Sequence, residues 1–168
     1  MRPGSQVRRQ RRQQGGGGIM YWGMILPNGL ICVKELEGYI NAQKYTYLLQ
    51  TYAVPIMKLN LKSGFYFVQD NCTCHVAKET RRFLQTQDFH VLDWPSRSPD
   101  LNLMENVWLM LTNLIYDGGQ PENKEELKIR IMKAVYQINT EKRSVILNLY
   151  STFRQRLVNV LNSKGNLV

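Results

Sequence analysis

Two hydrophobic periodicities alternate along the chain, and the switches between them predict its elements. Ile19 to Ile25 and Leu30 to Leu36 are strand-like apolar runs on either side of Leu26-Pro-Asn-Gly29, a turn signal that predicts a β-hairpin. From about Ala42 to Ala53 the spacing becomes helical, with Tyr45, Leu48, Leu49 and Tyr52 on one face. Asn41 is placed to cap that helix and Pro55 to stop it. After Gly64, the continuous apolar run Phe65-Tyr-Phe-Val68 predicts a short buried strand. A helix from about His75 to Thr86 and a brief strand at His90-Val-Leu-Asp93 follow. The loop Trp94-Pro-Ser-Arg-Ser-Pro99 leads into a helix carrying Trp108, Leu111, Leu114 and Ile115. Two helices close the chain, one opening at Asn123 with Glu126 in a capping-box arrangement, the other running from about Glu141 to Leu161. This order predicts a mixed α/β fold with one small sheet.

Composition narrows the class. A chain of 168 residues with 43% hydrophobic and 21% charged residues supports one domain with a real core. The net charge of +9 is unevenly placed, because Arg2, Arg8, Arg9, Arg11 and Arg12 fall in an acid-free start. Residues 1–18 therefore read as a basic Arg/Gln/Gly-rich arm or loop, and residues 19–168 as the domain. Such an arm either meets a polyanion, most often nucleic acid, or solubilises the chain. No apolar run approaches the roughly 18–20 residues of a membrane span. Three cysteines and no secretory signal suggest a reducing, intracellular setting. Cys72-Thr-Cys74-His75 has the spacing of half a zinc site, but no second Cys/His cluster completes it. Buried or inert thiols are the expectation there.

Candidate chemistry rests on Asp70, at the end of an apolar strand, and Glu105, in the first turn of a helix, with thirty-four residues between them. Two carboxylates at element ends are what a magnesium or manganese site for phosphoryl transfer needs. Each also has a structural reading. Asp70-Asn71 can be a turn that ends a strand, and Glu105, three residues after Asn102, can be the partner in a capping box.

The string Phe67-Val-Gln-Asp70-Asn71 with His75 after it, Leu92-Asp-Trp-Pro-Ser-Arg-Ser-Pro-Asp-Leu-Asn102, and Glu105-Asn-Val-Trp108 resemble the mariner superfamily of DNA transposases. The resemblance is to its nematode-type branch, and it extends to Ile19-Met-Tyr-Trp-Gly23 and Glu37-Gly38. It implies a ribonuclease-H-like α/β fold, a mixed sheet flanked by helices, that cleaves and transfers DNA strands with Mg2+ or Mn2+. By position, Asp70 and Glu105 are the second and third catalytic, metal-binding acids, with Asn71 and His75 lining the site. DNA is the implied partner, reached by Arg8, Arg9, Arg11 and Arg12. A homodimer is left open, no small-molecule cofactor is implied, and the nucleus is the implied location.

The chain departs from the family pattern in having Cys72-Thr-Cys74 before His75, and Leu103-Met104 before the glutamate. The family's first catalytic aspartate lies on a central strand preceding the hairpin, and residues 1–18 resemble the loop after that strand. The expectation is then a sheet lacking its first strand, with two unpaired edges in its middle. Function is expected to be that of a truncated or decayed catalytic domain with an incomplete site. The alternative is a non-catalytic DNA-binding or interaction module derived from such an enzyme.

Overall fold

The computed structural model describes residues 18–94 and 102–153, together with Gln155 and Val158. The predicted hairpin is its centre. Strand β1 (Met20–Ile25) pairs antiparallel with β2 (Ile31–Leu36), Met20 opposite Leu36 and Ile25 opposite Ile31. The turn closes with the Leu26 N–H on the Leu30 carbonyl at 2.8 Å, and Gly29 supplies a φ of 86° that side-chain-bearing residues rarely adopt.

Alternation along both strands makes the hairpin apolar on both faces. Trp22, Met24, Leu26, Leu30 and Cys32 face one core, and Tyr21, Ile25, Ile31 and Val33 face another. The first core is closed by α1 (Ala42–Leu48), a π-helical turn (Leu49–Ala53), α2 (Val54–Asn60), α3 (Thr73–Val76) and α4 (Lys78–Gln85). Tyr45, Leu49, Met57 and Leu84 are its buried anchors. The second core lies under α5 (Leu103–Tyr116), α6 (Lys124–Thr140) and α7 (Arg143–Ser151), with Val107, Leu111, Ile138 and Ile146 buried. The result is a helix–sheet–helix sandwich.

Four expectations need correction. Pro55 does not stop the first helix, which continues to Asn60. Proline removes one N–H and crowds the carbonyl four residues back. The chain accommodates this with the wider turn at Leu49–Ala53, where the Val54 N–H reaches the Leu49 carbonyl. Second, the helix expected from His75 to Thr86 is two helices, broken by extended backbone at Ala77 (ψ 147°). The fully buried Thr80 hydroxyl donates to the Cys74 carbonyl at 2.6 Å, taking the place of a helical N–H. Third, Phe65–Val68 is not a buried strand. Only Tyr66–Phe67 forms β3, with Phe67 buried and Tyr66 and Val68 exposed. Fourth, there is not one sheet. β3 pairs in parallel with β4 (His90–Val91), and the two-stranded pairs stand apart.

Edge chemistry shows how the two pairs face each other. In an antiparallel ladder, main-chain groups alternate between the partner strand and the outside. The Leu26–Leu30 bond sets the phase, so Ile31 and Val33 point outward from β2, and Tyr21, Gly23 and Ile25 point outward from β1. The outer edge of β2 is sealed at its Ile31 end. The Asn139 side chain on α6 both accepts from the Ile31 N–H (2.8 Å) and donates to its carbonyl (2.9 Å), and the Tyr52 hydroxyl donates to the Val33 carbonyl (2.9 Å). On β1 the Tyr150 hydroxyl meets the Ile25 carbonyl at 3.1 Å, whereas the outward groups of Tyr21 and Gly23 find no main-chain partner among the described residues. In β3 the carbonyls of Phe65 and Phe67 bond β4, so Tyr66 and Val68 turn their main chain the other way. Both open edges border one groove.

Asn139 thus acts as a one-residue stand-in for a neighbouring strand. Replacing it with alanine strands the N–H and C=O of a residue only 1% exposed. Asn139→Ala is expected to lower unfolding stability by roughly 1–3 kcal/mol. Urea denaturation followed by circular dichroism is the measurement.

Candidate functional site

Asp70 leaves the end of the β3 segment, and the Asn71 side-chain amide ties that end to the segment after β4 by donating to the Trp94 carbonyl at 2.8 Å. One oxygen of the Asp70 carboxylate does local structural work. Oδ1 accepts the Cys72 N–H at 3.0 Å and lies 2.6 Å from His75 Nδ1. The turn reading of Asp70 is therefore correct as far as it goes, but the side chain stays 57% exposed and open to a second role.

His75 is held from several directions. Its ring packs on Tyr45 with centroids 4.2 Å apart, and its side chain is only 17% exposed. The Tyr45 hydroxyl donates to Gln69 Oε1 at 2.8 Å, and Gln69 Nε2 donates to the His75 carbonyl at 3.2 Å. Burial raises the pKa of the Tyr45 hydroxyl, so it remains a proton donor at any neutral pH. Tyr45 and Gln69 read as core and strand residues in the sequence. The one signal that could have marked them is a hydroxyl on an otherwise apolar helix face.

Glu105 is set by the start of α5. Asn102 Oδ1 accepts the Met104 N–H at 3.0 Å, and the Asn102 carbonyl accepts the Glu105 N–H at 3.1 Å. Asn102 caps this helix without help from Glu105, whose exposed carboxylate has no partner among the described residues. A carboxylate in a first turn is favoured by the helix dipole. Gly23 sets how closely that turn approaches β1, because a Cβ there would lie 2.6 Å from Met104 Cε and 2.7 Å from Trp108 Cζ2.

Asp70, His75 and Glu105 all border the groove of about 440 Å³ between the β1 and β3 edges. Asn71 is not on it. With Asp70 and His75, it borders a smaller hollow of about 280 Å³ that also takes in Arg81 and Asp93. Asp93 stands a little beyond the exit of β4, as Asp70 does beyond the exit of β3, and only this parallel marks it in the sequence. Arg8, Arg9, Arg11 and Arg12 lie outside the described residues.

Neither thiol is fully buried. Cys72 is exposed and Cys74 half-buried, their sulfurs 3.6 Å apart. Burial, then the neighbouring Cys72 thiol, pushes Cys74 up to about 11. Cys72 at the N-cap of α3 and Cys74 within it share that short helix with His75.

Residues 1–128 match the model of the DDE superfamily endonuclease family. The chain is 30% identical over 157 residues to the transposable element Tc3 transposase of Caenorhabditis elegans, covering 93% of this chain and 47% of that protein. To the Tc1 transposase of the same organism it is 28% identical, covering 91% of this chain and 55% of that protein. It thus spans about half the length of these relatives. Among solved structures, the Mos1 strand transfer complex superposes with a TM-score of 0.75 at 17% identity, over 95% of this chain and 46% of that one. The Mos1 mariner paired-end complex with Mn gives 0.60 at 17%, over 83% and 46%. The fold is that of a ribonuclease-H-like transposase catalytic domain.

Tyr45→Phe keeps the ring against His75 but removes the bond to Gln69. It is expected to cost about 1 kcal/mol in urea denaturation at neutral pH, and an unchanged midpoint would remove Tyr45 from the network that positions His75.

Proposed function

The chain belongs to the DDE superfamily endonucleases, and on that premise we propose that it is catalytic-domain sequence of a DNA transposase that cleaves and transfers strands with a divalent metal. One observation carries this reading: Asp70 and Glu105, remote in sequence, border the same groove. Residues 1–18 are its basic arm and residues 19–168 its catalytic domain.

The donor set fits a hard cation. Carboxylate oxygens suit magnesium or manganese, and both acids are exposed. Asp70 and Glu105 would hold the ion, with Asn71 and His75 as their surroundings. When bound, such an ion polarises a phosphoryl oxygen and generates a hydroxide nucleophile at neutral pH. The contribution of the chain itself is to aim the carboxylates. His75 and the Cys72 N–H fix the rotamer of Asp70, while the Asn102 cap and the Gly23 contact fix the turn that bears Glu105. An extended segment laid between the open edges of β1 and β3 would join the two pairs into one sheet and bring a further side chain to the same groove.

Arg8, Arg9, Arg11 and Arg12 would neutralise DNA phosphates, and DNA as substrate implies work in the nucleus. Binding of this kind weakens with salt in proportion to the phosphates neutralised.

Manganese titration followed by the paramagnetic resonance of free Mn2+ tests the site. Asp70→Asn and Glu105→Gln are each expected to weaken binding by about tenfold or more, and to abolish any Mn2+-dependent nicking of supercoiled plasmid. Unchanged affinity in both variants would overturn the assignment. For the arm, replacing the four arginines with alanine is expected to flatten the dependence of log K on log salt by up to about 3.6 on duplex DNA. An unaltered slope would show that the arm does not touch phosphate.

A further inference from the structure

We propose that Cys72, Cys74 and His75 form a three-ligand site for a thiophilic cation of the zinc class, and that an ion held there acts on Asp70 through His75. One ligand atom from each of the three residues lies within 4.8 Å of the others. Ideal geometry shows how near this is to a finished site. With Zn–S bonds of about 2.3 Å and tetrahedral angles, two ligating sulfurs stand about 3.8 Å apart, and a sulfur and an imidazole nitrogen about 3.6 Å. The two sulfurs here are at 3.6 Å. No pair lies beyond 4.8 Å, so the sulfur-to-imidazole distances need to close by at most about 1.2 Å, within reach of small side-chain rotations.

Donor chemistry separates this site from the carboxylate pair. Two thiolates and an imidazole select zinc, cobalt(II) or cadmium over magnesium, which prefers oxygen. No other group of three His, Cys, Asp or Glu side chains converges in this way among the described residues. Three protein ligands leave a fourth position for water, so the absence of a second Cys/His cluster in the sequence does not exclude the site.

The site is also oriented. A histidine that binds a metal usually has its ring fixed by a carboxylate, and His75 Nδ1 already stands 2.6 Å from Asp70 Oδ1. Tyr45 packs on the ring from the other direction. His75 is therefore shared between the thiols and Asp70. Binding of a soft ion fixes or withdraws the imidazole that partners Asp70 and so alters the affinity of Asp70 for a hard ion. This second half rests on the metal-binding role proposed for Asp70; the thiol site itself does not.

Cobalt(II) titration of the whole reduced chain reads the two parts separately. The expected result is thiolate-to-cobalt charge-transfer absorption saturating at one equivalent and bleached by added zinc. Cys72→Ser and Cys74→Ser should each weaken cobalt binding at least about tenfold, with Cys32→Ser unchanged, since Cys32 lies on β2 away from the cluster. Retention of the absorption in the Cys72→Ser, Cys74→Ser double variant, or its absence in the wild-type chain, would overturn the proposal. Asp70→Asn separates the two readings, because it should keep the thiolate-to-cobalt absorption at saturating cobalt, though with weaker affinity since Asp70 orients His75, while losing manganese binding. In the wild-type chain, zinc at one equivalent should shift manganese affinity at least about threefold, and in the double-serine variant it should not. Equal manganese affinity with and without zinc, where the wild type binds manganese, would remove the coupling and leave the thiol site standing.

Discussion

Apolar side chains on both faces of the β1–β2 hairpin must be buried twice over, and the other elements are arranged to satisfy that demand. Met24 and Leu26 on one side and Ile31 and Val33 on the other are each under 9% exposed. A ribbon of two strands cannot bury both faces in water by itself. Helices α1 to α4 take one face and α5 to α7 the other. That division puts β3, which ends near Asp70, in the first core and α5, which begins near Glu105, in the second. The hairpin therefore sets on the border of one groove two carboxylates that come from opposite layers. Gly23 is where this is tightest, since it lets the first turn of α5 lie directly on β1.

The same arrangement accounts for the split sheet. Main-chain groups on a strand edge need partners or solvent. On β2 side chains of Asn139 and Tyr52 partner the Ile31 N–H and C=O and the Val33 C=O, which closes that part of the outer edge. On β1 and β3 the corresponding groups border the groove instead. An exposed edge of this kind is a pairing surface, so the structure has one partly sealed boundary and one receptive seam. The candidate metal ligands lie along the seam.

The metal-binding role proposed for Asp70 and its structural role do not compete. Its Oδ1 closes a turn on the Cys72 N–H and engages His75, which are the contacts that hold a carboxylate in one orientation. A group fixed in this way loses less freedom on binding a metal. Glu105 differs, because Asn102 supplies the helix cap alone and leaves the glutamate free of that duty. The resemblance read from the long Trp-Pro-Ser-Arg-Ser-Pro motif is matched by the family model and by the fold of the transposase complexes. Most of that motif lies outside the described residues.

Local signals in the sequence determined the hairpin, its turn at Gly29, the caps Asn41, Asn102 and Asn123, and the buried faces of α1, α5 and α6. Each depends on residues within a few positions of one another, where intrinsic propensity and side-chain capping decide the outcome. Long-range packing decided the rest. Pro55 remains inside a helical run because the π turn before it absorbs the strain. Ala77 breaks a helix because a buried Thr80 takes over the Cys74 carbonyl. Tyr66 and Val68 are exposed because they alternate with Phe67, and only the Phe67 face packs on the first core. In the sequence Cys72 and Cys74 read as inert thiols and His75 as lining the Asp70 site, whereas in the structure the three converge. Their residue types determined what chemistry they could support, while the short helix α3 that they share and the hold of Tyr45 on His75 decided that they would meet.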